Sequence, residues 1–561
     1  MYIGYCQAAK RTLERIMSAA AQRLVEKSKK VLSTASNYQT DILEHIAEQL
    51  IAYKDGKPTR SLLVKAGAGS GKTLTIVAAA QMIPATVRAI FLAFNKDIAT
   101  ELGRLLPKNV QSKTLNSLGW SICKRFADGV NGHPIEFKDF TNGFKHHAII
   151  RETFTKPEVN EYGVHIRWVV SMCQSLGVVP SGRTDVVGVA EYDDSDISLN
   201  AIVERFDYDL PIPVRSKVFN MARVILNKTI DNVIQVNFDE QKYFPVVMPE
   251  MAGLAPKYDI VMIDEAQDMN DVDIALIKMI LKLNGIVVSV GDNRQSIYGF
   301  RGADTQAIEK IKAAFGADEL PLSISYRCAV NIVNEARTIY PELESAPNAI
   351  DGVVETLGSY EKVDFNAGDM VICRNNAPTI RLAYRLIANR VPVFVKGRDI
   401  GRKLISVIDK LKAVDVADLA LSLRTWLLQQ SEIIRNENPD DEDAIQRITD
   451  RYDSIMVFIE HNADGLVVTI IEDIEELFST RTKDSNDAML MRGRVVLSSI
   501  HKSKGLEAER VYILDRELIG MRATRGTWQM EQEDNLAYVA ITRAKRELYY
   551  IKTPSENAKC R

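Results

Sequence analysis

The sequence predicts a mixed α/β protein whose parallel β-sheets form two lobes. Short runs of apolar, β-favouring residues alternate with helical stretches, which is typical of parallel sheets. A first series of runs comprises Ser61–Lys65, Ala89–Ala93, Asp259–Ile263 and Ile286–Val290. A second series comprises Val353–Leu357, Met370–Cys373, Val391–Val395, Val495–Ile500, Val511–Leu514 and Leu548–Ile551. A glycine-rich loop follows the first run of the first series, and the second series has none, so we expect two lobes that share one such loop.

Two segments interrupt this rhythm and predict inserted, mostly helical subdomains. Phe126–Lys257 is mixed and polar, and Ser406–Gly493 has a helical pattern. Their acidic runs are typical of solvated faces. We therefore predict an N-terminal helical extension (1–36), a first lobe (37–125 plus 258–325), an insert (126–257), a second lobe (326–405 plus 494–561) and a second, shortened insert (406–493).

Composition and charge narrow the class of protein. The chain has 561 residues, enough for about three or four domains, and its 46% hydrophobic and 26% charged content is ordinary for a soluble protein. No run of 18 apolar residues exists, and the N-terminus lacks the apolar core of a signal peptide. These observations predict a cytoplasmic or nucleoid-associated protein without a membrane contact.

The cysteines and the net charge exclude further classes. Six scattered cysteines without CxxC spacing argue against a zinc site and against a disulfide framework. The formal net charge is −3, so any polyanion would have to be held by a local groove and not by the global field.

The strongest functional signal is the octapeptide AGAGSGKT, which follows an apolar run and precedes a helical one. Strand, glycine loop and helix direct successive backbone N–H groups at a polyphosphate. Lys72 is expected to reach the β- and γ-phosphates, and the Thr73 hydroxyl to bind Mg²⁺. The predicted nucleotide-binding residues of this loop are Ala66, Gly67, Ala68, Gly69, Ser70, Gly71, Lys72 and Thr73.

A second signal is a pair of carboxylates that ends an apolar run, at Asp264 and Glu265. The carboxyl edge of an open α/β sheet is where ligands bind. Asp264 is therefore expected to bind the same Mg²⁺ as Thr73, and Glu265 to orient or deprotonate an attacking water.

These motifs belong to an ordered series, from about residue 37 to residue 550, that resembles the UvrD/Rep-type superfamily 1 DNA helicases. The resemblance implies two RecA-like P-loop lobes, ATP and Mg²⁺ as cofactors, and single-stranded and forked DNA as the partner. Asn37-Tyr38-Gln39 resembles the adenine-reading motif, in which the amide of Gln39 offers both a donor and an acceptor.

The resemblance also assigns contacts with DNA. Four stretches carry it: Ala93–Lys96, Lys113–Gly119, Gly291–Gly302 and His501–Glu507. Aromatic rings would stack on bases, and polar side chains would contact phosphates. The implied DNA contacts are Phe94, Asn95, Lys96, Thr114, Asn116, Ser117, Tyr298, Phe300, Arg301, His501 and Ser503. Gln295, at the start of the aromatic loop, is the implied γ-phosphate sensor, so one short loop would touch both phosphate and bases.

The remaining implied residues complete the nucleotide site. In Ser325-Tyr326-Arg327, Tyr326 would stack on adenine and Arg327 would contact the γ-phosphate. Arg543 would be a second arginine finger, and Glu507 would bind the ribose. The chain departs from the family pattern at Asn116 (usually histidine), at Phe300 (commonly tryptophan), and at Asp534 and Asn535, where arginines are usual and to which we assign no role. The segments AFNK, IYGFRG and SYRC are closer to the F-box-helicase-like subgroup, although the sequence shows no F-box.

The sequence therefore predicts an ATP-dependent DNA helicase or translocase, and the resemblance implies 3′→5′ movement in replication, repair or recombination. Three alternatives stay open at this point. A DNA-stimulated ATPase that remodels protein–DNA complexes would use the same catalytic residues. A slow P-loop switch would leave Arg543 and the aromatic loop unexplained. A helicase–nuclease would need a set of nuclease carboxylates and lysine, and none stands out.

Overall fold

The computed structural model describes residues 19–93, 95–134, 136, 141–189, 192–206, 208, 210–297, 306–437, 442–462, 465–478, 487–520 and 527–554. Two six-stranded parallel sheets dominate them, and the predicted fold class is confirmed. None of the helices in these ranges is both long and apolar enough to cross a membrane.

The first lobe begins with helices and the first three strands of the first sheet. In chain order these elements are α1 (Ala19–Ser28), α2 (Asn37–Lys54), β1 (Leu62–Ala66), α3 (Lys72–Ala80), β2 (Ala89–Ala93), α4 (Lys96–Leu105), β3 (Val110–Thr114) and α5 (Leu115–Asn131). The first insert then adds α6 (Lys145–Thr153), α7 (Lys156–Leu176), α8 (Asp196–Arg205), α9 (Ile212–Asp231), α10 (Glu240–Val247) and α11 (Pro249–Ala252). The boundary predicted between residues 125 and 126 falls inside α5.

The chain returns to the first sheet after the insert. It adds β4 (Tyr258–Ile263), α12 (Asp271–Ile280), β5 (Leu281–Gly291), α13 (Ala307–Phe315) and β6 (Asp318–Leu322). The strand order is β3-β2-β4-β5-β1-β6, and every neighbouring pair is parallel. All residues of β2 and β4 are buried, as expected for central strands that are covered on both faces.

The second lobe repeats this architecture. Its elements are β7 (Ile324–Ser325), α14 (Val330–Ala336), β8 (Glu344–Ser345), β9 (Val353–Ser359), β10 (Met370–Cys373), α15 (Ala377–Ala388) and β11 (Val393–Lys396). The second insert contributes α16 (Arg398–Leu411), α17 (Val416–Glu437), α18 (Glu442–His461), α19 (Val467–Leu477) and α20 (Asp487–Met491). The predicted boundary between residues 405 and 406 falls inside α16.

The second sheet closes with β12 (Val495–Ser499), α21 (Ile500–Ser503), β13 (Ala508–Leu514), α22 (Thr527–Ile541) and β14 (Ala544–Lys552). Its strand order is β11-β12-β10-β13-β14-β9, again all parallel. One apolar core beneath this sheet also contains Ala68 and Ile297 from the first lobe. The two lobes are therefore packed against each other where their strand ends meet.

Candidate functional site

The glycine loop lies between β1 and α3, as the sequence predicts. Gly69 and Gly71 have φ of +70° and +79°, in the left-handed region that glycine adopts without strain. A Cβ at Gly69 would also lie 2.5 Å from the Cβ of Arg327. Ala66, by contrast, is the last residue of β1 and pairs in register with Leu322, so a side chain is accommodated there.

One cavity of about 280 Å³ lies directly above this loop and has walls from both lobes. The first lobe supplies the loop and the ends of its strands, and the second lobe supplies three cationic side chains. The lining residues are Gly69, Ser70, Gly71, Lys72, Thr73, Leu74, Asn95, Ile98, Glu265, Gln295, Arg327, Lys504, Gly505 and Arg543. Five of the six predicted catalytic residues are thus brought together, and the sixth, Asp264, lies behind Thr73.

Lys72 is held inside the cavity by the first lobe. Its Nζ donates to the carbonyl of Gly67 at 3.3 Å and lies 3.9 Å from Oδ2 of Asp292. Burial raises the pKa of Asp292, and the charge of Lys72 opposes that rise. Asp292 also accepts a hydrogen bond from Nε2 of Gln295 at 2.7 Å. Sequence reasoning missed Asp292, although a carboxylate directly after a strand is the same signal that identified Asp264.

The hydroxyl and carboxylate expected to bind a cation are adjacent. Oγ1 of Thr73 donates to Oδ2 of Asp264 at 2.9 Å. Burial, together with the neighbouring charge of Glu265, raises the pKa of Asp264. Lys72 offsets only part of this effect, and a cation would stabilise the charged carboxylate further, so these residues fit Mg²⁺. Mg²⁺ usually keeps several waters and binds one or two protein ligands together with substrate phosphates, so phosphate oxygens and waters would be its other ligands.

Glu265 differs from Asp264 in its electrostatic environment. Burial alone would raise the pKa of Glu265, but the charges of Lys72 and Lys504 outweigh it and lower that pKa. Nε2 of Gln267 donates to Oε2 of Glu265 at 2.5 Å. The backbone of Glu265 has φ of +53°, a strained conformation for a residue with a side chain. The side chain is therefore ionised and fixed in direction, two properties that a base for water requires.

The two predicted arginine fingers are held in different ways. Arg543 is 1% exposed, and its Nε and Nη1 donate to the carbonyls of Val539 and Leu506 at 2.9 and 3.0 Å. Burial, and then repulsion from Arg327, lower the pKa of Arg543 to about 10, so it stays charged at neutral pH. Arg327 instead forms an ion pair with Glu507, with Nε 2.7 Å from Oε2.

Lys504 is a further cation that sequence reasoning missed. It extends from the second lobe to the first. Its Nζ donates to Oδ2 of Asp268 at 2.7 Å and to the carbonyl of Gln295 at 2.8 Å, and both acceptors belong to the first lobe. Burial raises the pKa of Asp268 to about 6, although Lys504 opposes the shift. The residue lies within the HKSKGLE segment, but nothing in the spacing of that segment reveals a contact with the opposite lobe.

The residues predicted to hold the base and ribose lie outside the 280 Å³ cavity. The side chain of Gln39 is buried. Its Oε1 accepts the backbone N–H of Ser36 at 3.0 Å, and its Nε2 donates to Oγ1 of Thr75 at 3.1 Å. Tyr326 is 51% exposed and lines an adjacent cleft. Glu507 is paired with Arg327 and with Lys545.

The predicted DNA contacts are placed unevenly. Phe94, Tyr298, Phe300 and Arg301 lie outside the described residues. Asn95 and Thr114 accept backbone N–H groups at the first turns of α4 and α5, and Asn95 also lines the cavity.

The other described DNA-contact candidates share no single environment. Nδ2 of Asn116 donates to the carbonyl of Phe238 at 2.8 Å in the first insert. Ser503 is fully buried, and its Oγ donates to the carbonyl of Ile500. Lys96 and Ser117 are exposed in the first turns of α4 and α5, and half-buried His501 lies in α21. Their roles toward DNA stay predictions.

Comparison with known protein families gives two matches, one across the centre of the chain and one near its C-terminal end. Residues 236–316 match the UvrD/REP helicase N-terminal domain, and residues 413–555 match the UvrD-like helicase C-terminal domain. The matches include the Asp264–Glu265 pair, the segment around Gln295, and Arg543.

Among curated proteins, the chain is similar to DNA helicase II of Haemophilus influenzae, with 24% identity over 52% of this chain and 55% of the relative. It is also similar to F-box DNA helicase protein 1 of Schizosaccharomyces pombe, with 22% identity over 88% of this chain and 55% of the relative. F-box DNA helicase 1 of Gallus gallus shows 23% identity over 90% of this chain and 48% of the relative. The chain thus spans about half the length of the curated relatives it matches. Together with the two lobes and the ordered motifs, these matches confirm the resemblance of the chain to the UvrD/Rep-type superfamily 1 helicases.

Proposed function

We propose that the protein is an ATP- and Mg²⁺-dependent DNA helicase that moves 3′→5′ along a single strand and unwinds duplex DNA in replication, repair or recombination. The observation that carries the proposal is the shared cavity, in which Lys72 lies on one wall and Arg327 and Arg543 lie on the other. A site divided in this way can complete hydrolysis only while the lobes are closed, which links turnover to lobe movement.

The described side chains supply the chemistry of phosphoryl transfer. Lys72 would leave the carbonyl of Gly67 for the β- and γ-phosphates, and Glu265 would accept a proton from the water that attacks the γ-phosphorus. The two arginines would neutralise charge that develops on the transferred phosphoryl group and on the leaving ADP. Thr73 and Asp264 would hold Mg²⁺, whose positive charge would offset the negative charge of the phosphates.

Movement along DNA would begin at Gln295. This residue lines the cavity, and the segment that carries Tyr298, Phe300 and Arg301 follows it directly in the sequence. Loss of the γ-phosphate would release Gln295 and shift the aromatic loop that holds the bases. We therefore expect that a Phe300→Ala variant keeps ATP hydrolysis and loses translocation.

The test is the ATPase rate with and without single-stranded DNA, followed by unwinding of duplexes with 3′ or 5′ tails. The proposal predicts strong stimulation by DNA and unwinding from a 3′ tail. A protein-displacement assay runs beside it. If ATP is consumed and bound protein is stripped while the duplex never separates, the protein is a remodelling ATPase and the unwinding proposal is wrong. ATPase activity that ignores DNA would contradict both.

A further inference from the structure

The last long helix of the second lobe, α22, contacts the first lobe at three successive positions along one face. Glu531, Asn535 and Tyr538 are spaced four and three residues apart, so they share a helical face. Oε1 of Glu531 lies 3.6 Å from Nη1 of Arg294. At the other end, the hydroxyl of Tyr538 accepts the backbone N–H of Ala68, in the phosphate loop, at 2.9 Å. Just beyond α22, Arg543 lines the cavity.

Asn535, in the middle of this face, contacts what we define as the sensor loop, residues 292–297. Nδ2 of Asn535 donates to the carbonyl of Asn293 at 3.3 Å and to that of Ser296 at 3.2 Å. These two carbonyls flank Gln295. The amide of one second-lobe residue therefore fixes the backbone on both sides of the residue proposed to sense the γ-phosphate.

This junction is incompletely satisfied. Within the described part of the chain, neither Oδ1 of Asn535 nor Oγ of Ser296 has a hydrogen-bond partner, and both residues are at least 97% buried. Buried polar atoms without partners are costly, so a junction selected only for stability would not keep two of them in residues that contact each other. A small shift of the sensor loop would let the Ser296 hydroxyl donate to Oδ1 of Asn535 and satisfy both atoms.

We propose that Asn535 is a positioning residue that couples lobe closure to the sensor loop, and that the Ser296 hydroxyl completes this junction in a second arrangement of the loop. The inference rests on the proposed function, because it names how nucleotide state would reach the DNA-contacting segment that begins at residue 298. Asn535 acts through Gln295 and does not touch the nucleotide itself. The sensor loop would thus have two arrangements, one with and one without the hydrogen bond from Ser296 to Asn535. Such a two-state element can couple two distant sites, because each site can favour one arrangement.

The coupling can be measured as a ratio of affinities. The Kd of a fluorescent oligothymidylate is determined with and without a non-hydrolysable ATP analogue and Mg²⁺. By linkage, the same factor describes the effect of DNA on analogue binding, so the two titrations check each other. We call the ratio of the Kd values for the oligonucleotide without and with the analogue the coupling factor. In the wild type we expect it to be about 5–150, the usual range for coupled sites.

Three variants separate coupling from stability. Asn535→Leu keeps the approximate volume but removes both donors, and we expect its coupling factor to fall at least about fivefold, toward one. Leu536→Ala, at the next and fully buried position of α22, should lower the melting temperature but keep the wild-type factor. Ser296→Ala removes a hydroxyl without a partner, so its melting temperature should match or exceed the wild type, while its coupling factor should fall about threefold.

The outcomes are distinct. If Asn535→Leu keeps the wild-type factor, or loses no more of it than Leu536→Ala, the inference is wrong. If Asn535→Leu fails to fold, Ser296→Ala decides, because a purely static junction predicts no change in its factor. A wild-type factor of one, with ATPase activity indifferent to DNA, would overturn the proposed function together with this inference. If the wild type has a high coupling factor and the Asn535→Leu and Ser296→Ala variants keep it, the inference is wrong while the proposed function stands.

Discussion

The two lobes share one architecture and differ in what their strand ends present to the cavity. The first sheet supplies the phosphate loop after β1, Asp264 after β4 and Asp292 after β5. The described part of the second lobe contains no such loop and supplies positive charge, from Arg327, Lys504 and Arg543. This difference suggests a division of labour, in which the first lobe holds the nucleotide and the second lobe makes it reactive. The predictions below test that division, from the largest expected effect to the smallest.

Substitution of Lys72 by alanine should have the largest effect, because it removes the first lobe's only described lysine on the cavity wall. We expect ATP hydrolysis to fall roughly 10³-fold or more and nucleotide affinity to fall with it. Steady-state ATPase assays and analogue titration measure the two quantities. Lys65→Ala is a matched control in β1, since Lys65 pairs with Glu309 and Glu319 away from the cavity. Equal losses in both variants would contradict the role of Lys72.

Substitution of Arg543 by alanine should separate binding from turnover. We expect kcat to fall on the order of 10³-fold, as for other arginine fingers, while affinity for the ATP analogue changes little. Arg546→Ala serves as the control, because Arg546 is 66% exposed and pairs with Glu509. Full DNA-stimulated ATPase activity in Arg543→Ala would mean that the second lobe does not complete the site.

Substitution of Gly69 by alanine tests the contact between the lobes. The added Cβ would lie 2.5 Å from the Cβ of Arg327, at a position where φ is +70°. Gly56→Ala is the control. It introduces similar backbone strain, at φ of +67°, but its added Cβ would have no other atom within 4 Å. We expect both variants to lose about 1 kcal/mol of stability from strain. Only Gly69→Ala should also lose turnover, on the order of tenfold, because the lobes are forced apart.

The control pair makes this prediction easy to contradict. Chemical denaturation gives the free energies of unfolding, and ATPase assays give kcat. If Gly69→Ala and Gly56→Ala lose turnover equally, then strain alone explains the loss and the lobe contact contributes nothing.

Substitution of Gln39 by alanine should have the smallest effect on turnover, because Gln39 lies in the first lobe and does not line the 280 Å³ cavity. The side chain caps α2 and reaches Thr75, so its loss should cost about 1–3 kcal/mol of unfolding free energy. Gln49→Ala is the control, since Gln49 lies in the same helix and bonds the backbone of Arg60. If Gln39 also reads adenine, the variant should lose its preference for ATP over GTP, and an unchanged preference would exclude that role.

The sequence predicts the buried strands and the position of the glycine loop well, because both depend on local patterns. It also predicts the edge strands β9 and β11 of the second sheet, but it misses both edges of the first sheet. β3 (VQSKT) and β6 (DELPL) contain several polar residues and were not predicted. Each pairs with a neighbouring strand at one edge only and is less buried than the central strands, so it does not need a continuous apolar run. The site follows the same rule. Lys72 and Arg543 stand in motifs, whereas Lys504, Asn535 and Tyr538 act through contacts that only the packing of the two lobes creates.

The pairing of β1 sets the order in which the protein can assemble. Both strands that flank it, β5 and β6, follow the first insert in the chain. At about 5–20 residues per second, a ribosome would release β1 roughly ten to forty seconds before β5 emerges. During synthesis β1, a mostly buried strand of the first lobe, therefore has no partner strand at either edge until β5 and β6 follow. The first insert therefore delays completion of the first sheet, and the unpaired edges of β1 are prone to aggregation during that delay.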